Sequence, residues 1–70
     1  MKRQYVDSSL ARSVGYNPET SVLEIEFRSN GMIWQYFGIP ETMYHDMMSG
    51  SIGKYFNQHI KGQYPEAQIF

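Results

Sequence analysis

The stretch Val22-Leu23-Glu24-Ile25-Glu26-Phe27-Arg28-Ser29-Asn30-Gly31-Met32-Ile33-Trp34-Gln35-Tyr36-Phe37 decides the fold. From Val22 to Phe27 apolar and acidic residues alternate, so in an extended chain Leu23, Ile25 and Phe27 share one face while Glu24 and Glu26 share the other. That is the pattern of a strand buried on one side. Asn30-Gly31 offers the pair of positive-φ positions that a type I′ turn needs, which predicts that Met32 to Phe37 returns antiparallel. With Asn30 and Gly31 as the turn, Phe27 faces Trp34 and Ile25 faces Tyr36. Leu23, Ile25, Phe27, Trp34 and Tyr36 then make one continuous core face, and Glu24, Glu26, Arg28 and Gln35 lie opposite.

Working outward, Leu10 to Tyr16 reads as a preceding strand that ends at the turn-forming cluster Asn17-Pro18-Glu19-Thr20. Paired with Val22–Phe27 it gives a three-stranded antiparallel meander with Val14 and Tyr16 on the core side and a bulge at Gly15. Downstream, Pro40 suits the first position of a helix running to about Met48, because its missing N–H has no partner there. Met43, Tyr44, Met47 and Met48 fall on one arc at about 100° per residue and face the sheet. Ser51 caps a second helix from Ile52 to Lys61, which Gly62 ends. Its apolar stripe is Ile52, Tyr55, Phe56 and Ile60; its polar face is Lys54, Asn57, Gln58 and Lys61. Residues 63–70 carry no helical period and read as a tail that crosses the sheet edge or frays. The expected architecture is α+β, a three-stranded antiparallel meander followed by two short helices on one face, with a core of about residues 6–62.

Composition narrows the function classes. Seventy residues leave room for one core and so one domain. Six basic against seven acidic side chains give a formal charge of -1, which excludes the dense positive field of a non-specific nucleic-acid binder and leaves only a local basic patch. The absence of cysteine excludes disulfides, a thiolate metal site and a thiol nucleophile. No signal-peptide pattern and no run of ~20 apolar residues is present, which predicts a cytoplasmic protein without membrane attachment.

In order and at these separations, Leu23-Glu24-Ile25-Glu26-Phe27, Gly31, Trp34-Gln35-Tyr36, Ile39-Pro40, Ser51-Ile52-Gly53-Lys54-Tyr55-Phe56-Asn57 and Ile60-Lys61 resemble the KTSC domain family. This is a short module named for its place at the carboxyl end of some lysyl-tRNA synthetases and also found as a stand-alone bacterial protein. The family's central motif is usually Tyr-x-Tyr, and here Trp34 takes the first place. The resemblance implies a small cytoplasmic module with an RNA connection.

Each candidate site has a plainer reading beside it. Trp34 and Tyr36 suggest a base-stacking platform, but their register with Ile25 and Phe27 favours core packing, and Glu24 and Glu26 would repel phosphate from the other face. The better nucleic-acid surface is the second helix. There Lys54 and Lys61 meet phosphates, Asn57 and Gln58 offer amides, Tyr55 is a neighbour, and Lys2, Arg3, Arg12 and Arg28 extend the patch if the fold brings them to the same side. A plain solvated helix face is the competing reading. His45 and Asp46 are adjacent in a helix and point apart, His59 reads as a half-buried structural histidine, and no carboxylate stands at ligand spacing from either histidine. Neither catalysis, nor a metal, nor a cofactor is expected. The alternative function is protein–protein interaction through spare apolar groups such as Tyr5, Tyr64, Ile69 and Phe70. The structural core is expected to be Val14, Tyr16, Leu23, Ile25, Phe27, Trp34, Tyr36, Met43, Met47, Ile52, Phe56 and Ile60.

Overall fold

In a computed structural model that describes all seventy residues, the elements follow as β1 (Gln4–Tyr5), β2 (Ala11–Asn17), β3 (Val22–Phe27), β4 (Ile33–Phe37), α1 (Glu41–Met48), α2 (Ile52–His59) and β5 (Glu66–Gln68). The class is α+β, but the antiparallel sheet has five strands in the order β1-β2-β3-β4-β5, not three. The added strands come from the two ends of the chain. β1 pairs Gln4 with Val14, and β5 pairs Glu66 with Tyr36 and Gln68 with Trp34. Residues 63–70 thus lie along the sheet edge, three of them as β5, held further by Phe37 N donating to Pro65 O at 2.9 Å and Ile69 N to Ile33 O at 2.8 Å.

The central hairpin forms where the alternation places it, with a different register. Ile25 faces Trp34 and Leu23 faces Tyr36, two residues away from the pairing that a two-residue turn requires. Of the turn residues, Gly31 alone takes a positive φ, at 72°, and Phe27 N donates to Met32 O, so Arg28 to Gly31 form a four-residue loop. The Asn30 carboxamide accepts from Met32 N at 2.9 Å instead of adopting the left-handed conformation. A shift of two leaves every side chain on its expected face, because the strand period is two. The β2–β3 loop ends alike, with Ser21 at φ 58° and Asn17 Oδ1 accepting from Glu19 N. The bulge lies between Ala11 and Ser13, not at Gly15. Gly15 is required for another reason: a Cβ there would stand 2.9 Å from Lys2 O and 3.0 Å from Arg3 Cγ, so only a glycine admits the N-terminal segment.

Both helices pack on the Leu23–Ile25 face. The core there comprises Ala11, Val14, Leu23, Ile25, Tyr36, Ile39, Met47, Ile52, Phe56 and Ile60, with Tyr16, Phe27, Trp34, Met43 and Tyr44 half-buried against it. Pro40 is the N-cap of α1, extended at ψ 148°, and not its first helical residue. Ser51 caps α2 by accepting from Lys54 N at 3.3 Å, and α2 stops at His59, two residues earlier than the periodicity predicts. His59 is exposed, its ring tilted against Tyr55 at 4.5 Å, not half-buried. Gly53 approaches Leu10 so closely that a Cβ would sit 3.2 Å from the Leu10 Cβ.

The outer sheet face is not a bare acidic surface. Glu24 is buried, and its carboxylate accepts from the Arg3 guanidinium and, at 2.9 Å, from Gln35 Nε2. Arg3 Nε also donates to Ser13 Oγ at 2.9 Å, and that hydroxyl in turn donates to Glu26 Oε1 at 2.8 Å. The pairing is necessary, since an isolated carboxylate out of water would cost on the order of several kcal/mol.

Candidate functional site

A groove of about 450 Å³ runs between the β3–β4 loop, the C-terminal half of α2 and the start of β5. Its walls are built from the alternation already described. Phe27, Trp34 and Tyr36 leave β3 and β4 on the helix-facing side, and Phe56 of α2 meets Phe27 and Tyr36 edge to face at centroid distances of 5.7 and 5.2 Å. Such pairs fix ring orientation beyond simple burial. The rim is polar: Ser29 and Asn30 from the loop, Asn57 from α2, Lys61 just beyond its C-terminal end, and Glu66 from β5.

Tyr36 is 3% exposed, yet no fully buried side-chain polar atom lacks a hydrogen bond and Tyr36 Oη makes none within the chain. Its hydroxyl therefore opens into the groove that Tyr36 lines. Burial pushes this phenol up to about 12, with the Glu66 charge adding to the effect, so the hydroxyl stays protonated and able to donate.

The expected nucleic-acid residues are divided among separate places. Asn57 and Lys61 come together on the groove. Lys54, Tyr55 and Gln58 instead line a hollow of about 160 Å³ with Asp46, Gly50 and Ser51, where burial followed by the Asp46 charge raises the Tyr55 phenol. Arg12 is exposed on β2, at the bulge, and does not reach the groove. Arg28 is committed to the chain: its guanidinium donates to Ser8 O at 2.9 Å and to Val6 O and Ala11 O at 3.3 Å, tying the loop to the segment before β2. Trp34 and Tyr36 pack on the core as expected and in addition line the groove. Sequence reasoning missed Glu66, Ser29 and Asn30; Glu66 lies in a stretch without periodicity, and its placement follows from the β4–β5 register. No helix is long and apolar enough to cross a membrane. No group of three His, Cys, Asp or Glu is placed to hold a metal ion.

The KTSC domain model matches residues 7–64. The chain belongs to the KTSC domain family. Among relatives of this KTSC domain, an uncharacterized protein of Stutzerimonas stutzeri is 40% identical over 65 residues, covering 91% of this chain and 90% of that one. A lysine–tRNA ligase of a Nostoc species is 36% identical over 64 residues, 90% of this chain but 11% of the ligase. The crystal structure of a KTSC domain protein from Yersinia pestis superposes with a TM-score of 0.92 at 41% identity, covering 99% of this chain and 97% of that one. The family match spans the hairpin and both helices and ends before Glu66.

Proposed function

We propose that this KTSC domain is a non-catalytic binding module that holds single-stranded RNA in the groove between the β3–β4 loop and α2. The observation that carries the reading is the meeting of aromatic Trp34 and Tyr36 with the Lys61 ammonium and the Asn57 amide in one groove. The partly exposed Trp34 ring can accept a base face, worth ~1–3 kcal/mol per stacked base, and a lysine beside it meets the phosphate. The similarity to a segment of a lysine–tRNA ligase supports the same class of ligand.

The chain has a single tryptophan, so Trp34 fluorescence reports on the groove directly. Titration with a uridine pentamer is expected to quench it saturably. With one lysine in the groove, affinity should fall only about threefold between 50 and 200 mM salt, the slope of roughly one neutralised phosphate on a single strand. Lys61→Ala should abolish that salt dependence. Saturable quenching that is indifferent to both Lys61→Ala and Asn57→Ala would place the RNA elsewhere, and no quenching at any salt would refute the reading.

A second reading, docking to another protein, is favoured by a different observation. Met32, Ile69 and Phe70 are exposed together where β4 meets the end of the chain, since Ile33 bonds to both Ile69 and Phe70. Binding of a protein partner that Phe70→Ser abolishes, with no salt dependence, would support it.

A further inference from the structure

The groove carries one unpaired charge of each sign. Lys61 and Glu66 both line it, yet the chain's ion pairs are Arg3–Glu24 and His45–Glu41, so neither is neutralised from within. Glu66 is fixed by register: it stands opposite Tyr36 across the β4–β5 ladder, so both side chains leave the sheet on the groove side. An anionic carboxylate is an unusual wall for RNA, because it repels the backbone phosphates. It suits a strand only where it meets N–H donors of a base.

We infer that the groove takes one unpaired guanine of an RNA strand, its N1–H and N2–H donated to the Glu66 carboxylate, its ring against Trp34 and its phosphate at Lys61. The inference rests on the RNA reading above and narrows it to one base. Guanine presents a ring N–H beside an amino N–H on its Watson–Crick edge, which matches the two oxygens of a carboxylate. Adenine and cytosine place a ring-nitrogen lone pair beside the amino group, and that lone pair faces the carboxylate repulsively. Uracil sets its N–H between two carbonyls. On the guanine edge O6 is an acceptor, and the groove supplies donors for it in the Tyr36 hydroxyl and the Asn57 amide. The space of about 450 Å³ falls in the usual range for a small-molecule site.

The test uses the full chain and uridine pentamers carrying guanine, inosine or adenine at the centre, read by Trp34 quenching. A bidentate base contact predicts that guanine binds about tenfold tighter than adenine, with inosine between them because it keeps N1–H and lacks the amino group. In Glu66→Gln the lost charge shifts all affinities, so the ratio is the readout; the guanine-to-adenine preference should fall below about threefold. Glu66 is exposed on an edge strand, and circular dichroism should be unchanged in the variant. Equal binding of the three pentamers, or a preference that survives Glu66→Gln, overturns the guanine assignment and leaves the RNA reading standing. No quenching by any pentamer overturns both. Quenching by an arginine-containing peptide but by no RNA, lost in Glu66→Gln, would also overturn both and give the groove to a cationic peptide.

Discussion

Arg3→Ala is the substitution through which the N-terminal segment is best tested. The Glu24 side chain is 4% exposed and accepts from Arg3, whose side chain is 27% exposed. Removing one member of a buried ion pair costs ~3–5 kcal/mol, because the other charge is left without its partner in a poorly hydrated place. Two features reduce that here: water can follow the departing guanidinium, and Gln35 still donates to Glu24. A loss of about 2–3 kcal/mol is expected. A single core of this length supplies only ~3–5 kcal/mol net, so the variant retains little stability. With a urea slope near ~1 kcal/mol per molar, its unfolding midpoint should fall by roughly 2–3 M, read by Trp34 fluorescence. Adding Glu24→Gln should return about half of the loss, since a neutral amide is cheaper to bury than a carboxylate. A single variant within about 0.5 kcal/mol of the parent, the usual worth of an exposed pair, would refute the reasoning. So would a double variant no more stable than Arg3→Ala.

Three other outcomes follow from the backbone and the groove. Gly53→Val should lower stability by about 1–2 kcal/mol in a thermal melt, because a branched side chain is forced against Leu10 even though valine is the better helix former; an unchanged melt would show that Leu10 yields. Ser21→Gly should gain about 0.5–1 kcal/mol by relieving a left-handed backbone, less the extra entropy of glycine in the unfolded chain, and so raise Tm by about 2–6 °C; a lower Tm counts against it. The folded Tyr36 phenol titrates above its unfolded value of 10.0, at about 12. Its contribution is therefore complete below pH ~10 and lost as pH rises towards ~12, roughly 1–2 kcal/mol once the hydroxyl's contact with groove water is allowed for. In urea titrations the stability difference between the parent and Tyr36→Phe should move against the parent by that amount between pH ~10 and ~12, and a difference that stays constant over that window would refute the reasoning.

The sequence carried the middle of the sheet more clearly than its edges. Alternation from Val22 to Phe27 identified both faces of the hairpin, and those faces survived because the true register differs by two residues. The turn type did not survive, since Asn30 spends its carboxamide on Met32 N instead of adopting positive φ. β1 and β5 are two and three exposed residues long, and such strands are made by backbone hydrogen bonds to a neighbour, which leave no apolar pattern to read. Glu24 looked solvated for a related reason: its partner Arg3 lies 21 positions away and arrives only through β1. For the site, the helical period put Lys54, Asn57, Gln58 and Lys61 on one polar face, of which Asn57 and Lys61 line the groove. It could not say that Lys54 and Gln58 face a different hollow, or that Glu66 closes the groove, because both depend on where the last strand lies.

That last strand gives the groove a hinge of its own. β5 is three residues long, sits at the sheet edge and is joined to α2 by the stretch from Ile60 to Pro65. β2, β3 and β4 are joined to one another by their own ladders. Release of β5 alone would break only the β4–β5 ladder, an opening of the kind that costs less than global unfolding, beside the strand that carries Trp34 and Tyr36. Amide exchange at Ala67 and Ile69 should run faster than at Ile25 or Tyr36 in the free chain and slow when the groove is filled, which makes ligand capture and the ordering of the chain's end one event.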